Sequence, residues 1–172
     1  MLLKVVGSIA VLGASTFLGY SLAGDFARRP QQLRELQSML QMLENEIAFM
    51  SNLLREALHK TGENSKGAAA VFFKEASALL EDGSMGASEA WSKAVTGSVW
   101  RTSLNQEDQD VLITFGKMLG SSDYEGQIKN IRLTITQLQV QESKAEAQRK
   151  KNESLYRNLG IMGGLALVII LL

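Results

Sequence analysis

The sequence predicts an all-α protein: a helical bundle domain built on two long antiparallel helices, flanked by an N-terminal and a C-terminal transmembrane helix. Three observations predict it. The chain is rich in Leu, Ala, Gln, Glu and Lys and has a single proline, Pro30, a composition that favours long helices. Apolar residues in its middle recur at steps of three and four, the period of a helix that buries one face. An apolar stretch without a charge lies near each end.

The first stretch, Val5 to Ala23, is nineteen residues long. At about 1.5 Å per residue it approaches 30 Å, the thickness of a bilayer core. Ser21-Leu22-Ala23 loosely resembles a signal-peptidase site. The basic residues that follow, Arg28, Arg29 and Arg34, resist translocation and favour an uncleaved anchor. The second stretch, Leu159 to Leu172, is apolar on every face. Leu155 and Tyr156 lengthen it while Arg157 reaches the headgroups. Arg149, Lys150, Lys151 and Arg157 precede it. Basic residues thus flank both ends of the intervening loop, which the positive-inside rule retains in the cytoplasm. The expected organisation is an anchor over 1–24, a cytoplasmic bundle over 25–140, a polar helical stalk over 141–154 and a second anchor over 155–172.

Between the anchors, one helix is expected to start at Pro30, where the missing N–H costs nothing. Leu33, Leu36, Leu40, Leu43, Ile47, Met50, Leu54 and Leu58 form its seam, and Thr61-Gly62 ends it. Three short helices are expected next. One is capped by Ser65 and carries Val71, Phe72, Phe73, Leu79 and Leu80 to a stop near Gly83. The next is capped by Ser88 and carries Trp91, Val95 and Trp100. The third opens on Ser103 and Gln106, at capping-box spacing, before Val111, Leu112, Phe115, Met118 and Leu119. Glu107, Asp108 and Asp110 fall in its first turn, where the helix dipole favours negative charge. They read as capping charge rather than a metal site, because consecutive acids diverge around a helix. The last helix opens at Ser122 and Glu125, with a seam of Ile128, Ile131, Ile135 and Leu138. Glu142, Ala145 and Arg149 occupy the continuing seam positions, so apolar cover ends before the second stretch and the stalk is expected to bridge solvent.

The composition excludes several functions. Eighteen basic residues balance eighteen acidic ones, so no global field draws the chain to nucleic acid. Cysteine is absent and His59 is the only histidine, which rules out thiol catalysis, disulfides and histidine-pair zinc sites. Gly83-Ser84-Met85-Gly86 lacks the Lys-Ser or Lys-Thr continuation of a phosphate loop. The chain reads as no enzyme, with no cofactor, no metal and no small-molecule substrate. The candidate partner-binding residues are Arg28, Arg29 and Arg34. These serve either to fix topology or to dock an acidic surface through the guanidinium fork.

The run Arg29-Pro30-Gln31-Gln32-Leu33-Arg34-Glu35-Leu36, continued by Leu40-Gln41-Met42-Leu43-Glu44-Asn45-Glu46-Ile47, resembles the start of the stage III sporulation protein AB family. Ala90-Trp91, Leu112, Phe115-Gly116, Leu119-Gly120, Asp123, Gln127 and Asn158-Leu159-Gly160 follow in matching order. The resemblance covers essentially the whole chain. It implies an endospore-forming bacterium and the mother-cell membrane around the forespore. It also implies a secretion-like channel between the two cells, and partners among the other stage III sporulation A proteins besides the lipid bilayer. The soluble domain looks like the cytoplasmic domain of the type II secretion and type IV pilus platform protein. By that likeness it would couple the protein AA ATPase to the membrane complex. The alternative is a membrane-tethered coiled-coil adaptor that recruits a partner in another process. For orientation the expected outcome is concrete: a cytoplasm-dependent reporter inserted near Gly83 is active, and an export-dependent reporter there is silent. The opposite pattern would revive the signal-peptide reading.

Overall fold

The computed structural model describes residues 27–48, 53–81, 83–120 and 123–171, all helix, turn or loop. Side chains from 153 onward are described at only a few positions. The first apolar stretch lies outside the described residues, as do nearly all side chains of the second. Among the described residues no helix is long and apolar enough to cross a membrane. Contacts divide the chain into a compact unit of Arg29–Ser143 and a second unit of Met1–Arg28 with Lys144–Leu172.

The first helix, α1, covers 27–48. It is already helical at residue 27, so Pro30 lies inside the helix rather than opening it. Its seam is buried as the spacing requires: Leu33, Leu36, Leu40 and Leu43 are fully covered, with Met39 and Ile47 nearly so. The expected continuation through Leu58 is broken at Leu53, which has an extended backbone (φ −57°, ψ 142°) and is 77% exposed. A new helix, α2 (Leu54–Glu63), starts there and buries Ala57, Leu58, Thr61 and Gly62. The seam period survives the interruption, which is why the pattern alone reads as one helix.

Helix α3 (Ala70–Leu79) begins five residues after Ser65, without a side-chain cap. Helix α4 (Ala87–Ser98) starts after Gly86 and runs into a 3₁₀ turn, Val99–Arg101. Helix α5 (Gln106–Lys117) is capped by Asn105 and Asp108 rather than by Ser103 and Gln106. It stops before Gly120, whose φ of +73° suits a residue without a side chain. Helix α6 covers Tyr124–Leu171. Its first turn is held by Asp123, whose side chain accepts from Gly126 N–H at 2.9 Å.

The aromatic centre of the Arg29–Ser143 unit is Trp91. Its ring meets Phe73 edge-on at 5.0 Å and Phe115 edge-on at 5.2 Å, the arrangement that aromatic quadrupoles favour. Its indole N–H donates to Leu112 O at 2.7 Å, so burial leaves no polar atom unpaired. Polar groups also enter the core along α6. Asn130 donates to Phe115 O at 3.0 Å and Thr134 to Asn130 O at 2.9 Å. Trp100, expected on the same helix as Trp91, lies instead in the 3₁₀ turn that follows it and is 74% exposed.

Contacts between α1 and α6 pair Arg34 and Gln37 with Glu142, Glu44 with Arg132, and Ala48 with Tyr124. Numbers rise along α1 as they fall along α6. The stretch 141–154 is helical, but Gln141 and Ala145 are buried, so it is not solvated on every side.

Gly116 faces the Trp91 ring so closely that an added Cβ would overlap Cδ1. Alanine gains about 1 kcal/mol of helix propensity but overpacks a ring already fixed by two aromatics and a hydrogen bond. The segment 24–158 on its own is expected to be helical and to unfold cooperatively. Gly116→Ala should lower its stability by about 1–2 kcal/mol in urea titration. A non-cooperative transition would contradict the first expectation, and a stabilised alanine variant the second.

Candidate functional site

The three arginines singled out by sequence have different fates. Arg28 is exposed and belongs to the second unit. Arg34 is half exposed and donates to Glu142 Oε1 at 3.0 Å. Arg29 is turned inward. Its side chain is 11% exposed and forks onto fully buried Asp108, with Nε 2.7 Å from Oδ2 and Nη2 2.9 Å from Oδ1.

Helical spacing explains why these charges meet. Arg29 lies four residues before Leu33, on the α1 seam. Asp108 lies four before Leu112, on the buried face of α5. Gln141 follows Leu138 on α6 and accepts from Arg29 Nη2 at 3.4 Å. Each helix therefore contributes one polar residue to the same layer, just beyond its last apolar seam residue at that end. This signal is present in the sequence, because Arg29 extends the series 33, 36, 40, 43 backward by one step. A guanidinium is easily read as surface charge, and the acids of 107–110 as capping charge alone.

Asp108 does both jobs. Its backbone N–H donates to Asn105 Oδ1 at 3.0 Å, and its Oδ2 accepts Asn105 N–H at 3.0 Å. That reciprocal box satisfies two orphan amides of the α5 N-terminus, and the helix dipole favours the carboxylate there. Around the layer, Gln32 Oε1 accepts Ser103 N–H at 2.7 Å, and Gln37 Nε2 donates to Glu142 Oε2 at 2.8 Å. The contacts made by α1 run either to α5 and the segment just before it, or to the α6 residues just before Ser143. Both carboxylate oxygens of Asp108 face fixed donors, so the group ties the start of α1 to the start of α5. Burying the pair costs several kcal/mol of desolvation, offset by the forked geometry and the amide bond.

Other concavities are shallower in meaning. A groove of about 290 Å³ between α2 and α3 is lined by Arg55, His59, Glu63, Lys74, Ser77 and Glu81. Among the described residues no group of three or more His, Asp or Glu side chains is placed to hold a metal ion.

A family model described as stage III sporulation protein AB matches residues 4–172. Stage III sporulation protein AB of Bacillus subtilis (strain 168) is 34% identical over 172 residues, covering 99% of this chain and 100% of that protein. A solved structure of stage III sporulation protein AB (SpoIIIAB) superposes with a TM-score of 0.67 at 31% identity, covering 72% of this chain and 98% of the other.

Removing one member of a buried pair strands the other charge. Arg29→Ala is therefore expected to lower the stability of the 24–158 segment by about 3–5 kcal/mol. Arg29→Lys, which keeps the charge but not the fork, should cost less. Arg34→Ala, at an exposed pair, should cost under about 1 kcal/mol. Denaturant titration of the three variants checks the order, and equal losses at 29 and 34 would contradict it.

Proposed function

The chain belongs to the stage III sporulation protein AB family, and on that premise we propose that it is a non-enzymatic, platform-like membrane component of the sporulation channel between mother cell and forespore. In this reading it couples the cytoplasmic protein AA ATPase to the membrane complex. Its two apolar stretches anchor it in the mother-cell membrane around the forespore. The Arg29–Ser143 unit stands in the cytoplasm on two antiparallel helices, α1 and α6.

The observation that carries this reading is the polar layer of Arg29, Asp108 and Gln141. It lies where the chain enters the unit at residue 29 and just before the chain leaves it at residue 143. A body that passes a push to two anchors needs its two exits fixed to each other. A forked ion pair resists both sliding and rotation, because guanidinium and carboxylate are planar and match at two points. Apolar packing alone would permit small shear between helices. Arg34 and Arg28, outside the layer, remain the residues best placed to fix topology through positive charge beside the first span. The likeness to the platform protein supports the ATPase contact by analogy.

Crosslinking in sporulating cells, followed by identification of the captured partners, tests the coupling role. The expected catch is the protein AA ATPase together with other stage III sporulation A proteins. Capture of channel proteins without the ATPase would overturn the coupling. Capture of neither would favour a passive adaptor in another process.

A further inference from the structure

Two connections lie at the end of the unit where residues 29 and 143 are found. The segment 99–105 is tied to α1 through Ser103 and Gln32 and through Asn105, Asp108 and Arg29. The segment 64–69 reaches the same part of α1, since Gly67 packs directly against the Glu35 carboxylate. On these two connections Trp100 is the exposed large apolar side chain, at 74%.

Trp100 is exposed but fixed. Its indole N–H donates to Gly97 O at 2.8 Å, and the Arg101 guanidinium carbon lies 5.1 Å from the ring centroid. Arg101 Nη1 is steadied by Glu75 Oε1 at 3.3 Å, and Ser98 Oγ donates to the other Glu75 oxygen. Lys66, on the neighbouring connection, is exposed. Glu107 and Asp110 of α5 are exposed at this end as well. An aromatic ring kept outward, with its polar atom already bonded and the Arg101 guanidinium beside it, has the chemistry of side chains at a membrane–water boundary. A protein partner would need a contiguous patch clearing about 1,000 Å², and a single indole among polar side chains does not provide one. Chain length limits the spacing: only Gly24 to Arg28 separate Ala23 from Arg29, a tether of at most about 20 Å between the first apolar stretch and the residue that opens α1's share of this unit.

We propose that Trp100, Arg101 and Lys66 seat this end of the unit on the lipid headgroup layer, the indole in the interface and the two cations on phosphate oxygens. This rests on the reading that Val5–Ala23 spans the bilayer. The seat gives the coupler a third point of support beside its two anchors, and it explains why an indole is held rigidly in water-facing position. Trp100 and Trp91 are the two tryptophans of the chain, and Trp91 is fully buried. Emission of the full chain minus that of Trp100→Phe therefore isolates Trp100.

The test is full-length protein in vesicles of phosphatidylcholine with a minority of phosphatidylglycerol, carrying lipids brominated near the headgroup. Flotation with the vesicles comes first, and failure to float would refute the anchor reading and the seat with it. In floated protein, the bromolipids are expected to cut the Trp100 emission about two-fold or more, and acrylamide is expected to quench it weakly, as for an interfacial indole. Arg101→Ala with Lys66→Ala should restore part of the emission and raise acrylamide quenching. Floated protein whose Trp100 ignores the bromolipids and is quenched freely by acrylamide would overturn the seat and leave the anchor intact. Protection from both quenchers would mean that protein covers the indole, and would overturn it equally.

Discussion

The forked pair between Arg29 and Asp108 is the constraint on which the rest of the Arg29–Ser143 unit depends. Three helices converge on it, and two of them carry the chain into and toward the exit from the unit. Above it the buried residues are apolar and forgiving: Leu33, Leu36, Leu40 and Leu43 on α1 and Ile131, Ile135 and Leu138 on α6 carry no directional bond that would stop a slide by part of a turn. Charges that are buried cannot slide, because any displacement leaves a desolvated ion without its partner. The capping box adds a second demand, since Asp108 must also close the α5 N-terminus through Asn105. One carboxylate thereby fixes the start of α5 and the register of α1 against it.

The second organising feature is the aromatic trio at Trp91. It joins α3, α4 and α5 through Phe73, Trp91 and Phe115, and Gly116 exists as the space the indole needs. The polar layer and the aromatic trio divide the work. One sets where the chain exits lie, and the other gives the three short helices a common centre. Trp91 and Gly116 both fall within the motifs on which the family resemblance rests, and the geometry supplies the physical reason that the two residue types occur together.

Much of this was legible in sequence, and the gaps have definite causes. The seam residues of α1 and the aromatic positions of α3 to α5 follow from the helical period. The break at Leu53 was hidden because α2 continues the three-and-four spacing on the far side of it. The N-cap of α5 lies two residues beyond the expected one, because Ser103-Gln106 and Asn105-Asp108 both have capping spacing and the second closes the box. Arg29, expected to fix topology or to dock an acidic surface, is instead turned into the unit. Its seam position gave the hint, but a buried charge becomes visible only when a carboxylate on another helix arrives at the same layer. Trp100 shows the converse. It is expected on the same helix as Trp91, yet the chain turns into a 3₁₀ segment at Val99 and leaves the ring in solvent.

The central claim is that the buried pair holds the two exits of the unit at a fixed separation. The chain has no cysteine, so spin labels can be placed at exposed Gln31 and Ser143 without removing native thiols. Electron–electron distance measurement on the full chain then reads the separation directly. The account predicts one narrow distance distribution for the native pair and a clearly broadened one for Arg29→Ala. A distribution that is broad with the pair intact, or unchanged when it is removed, would contradict the account.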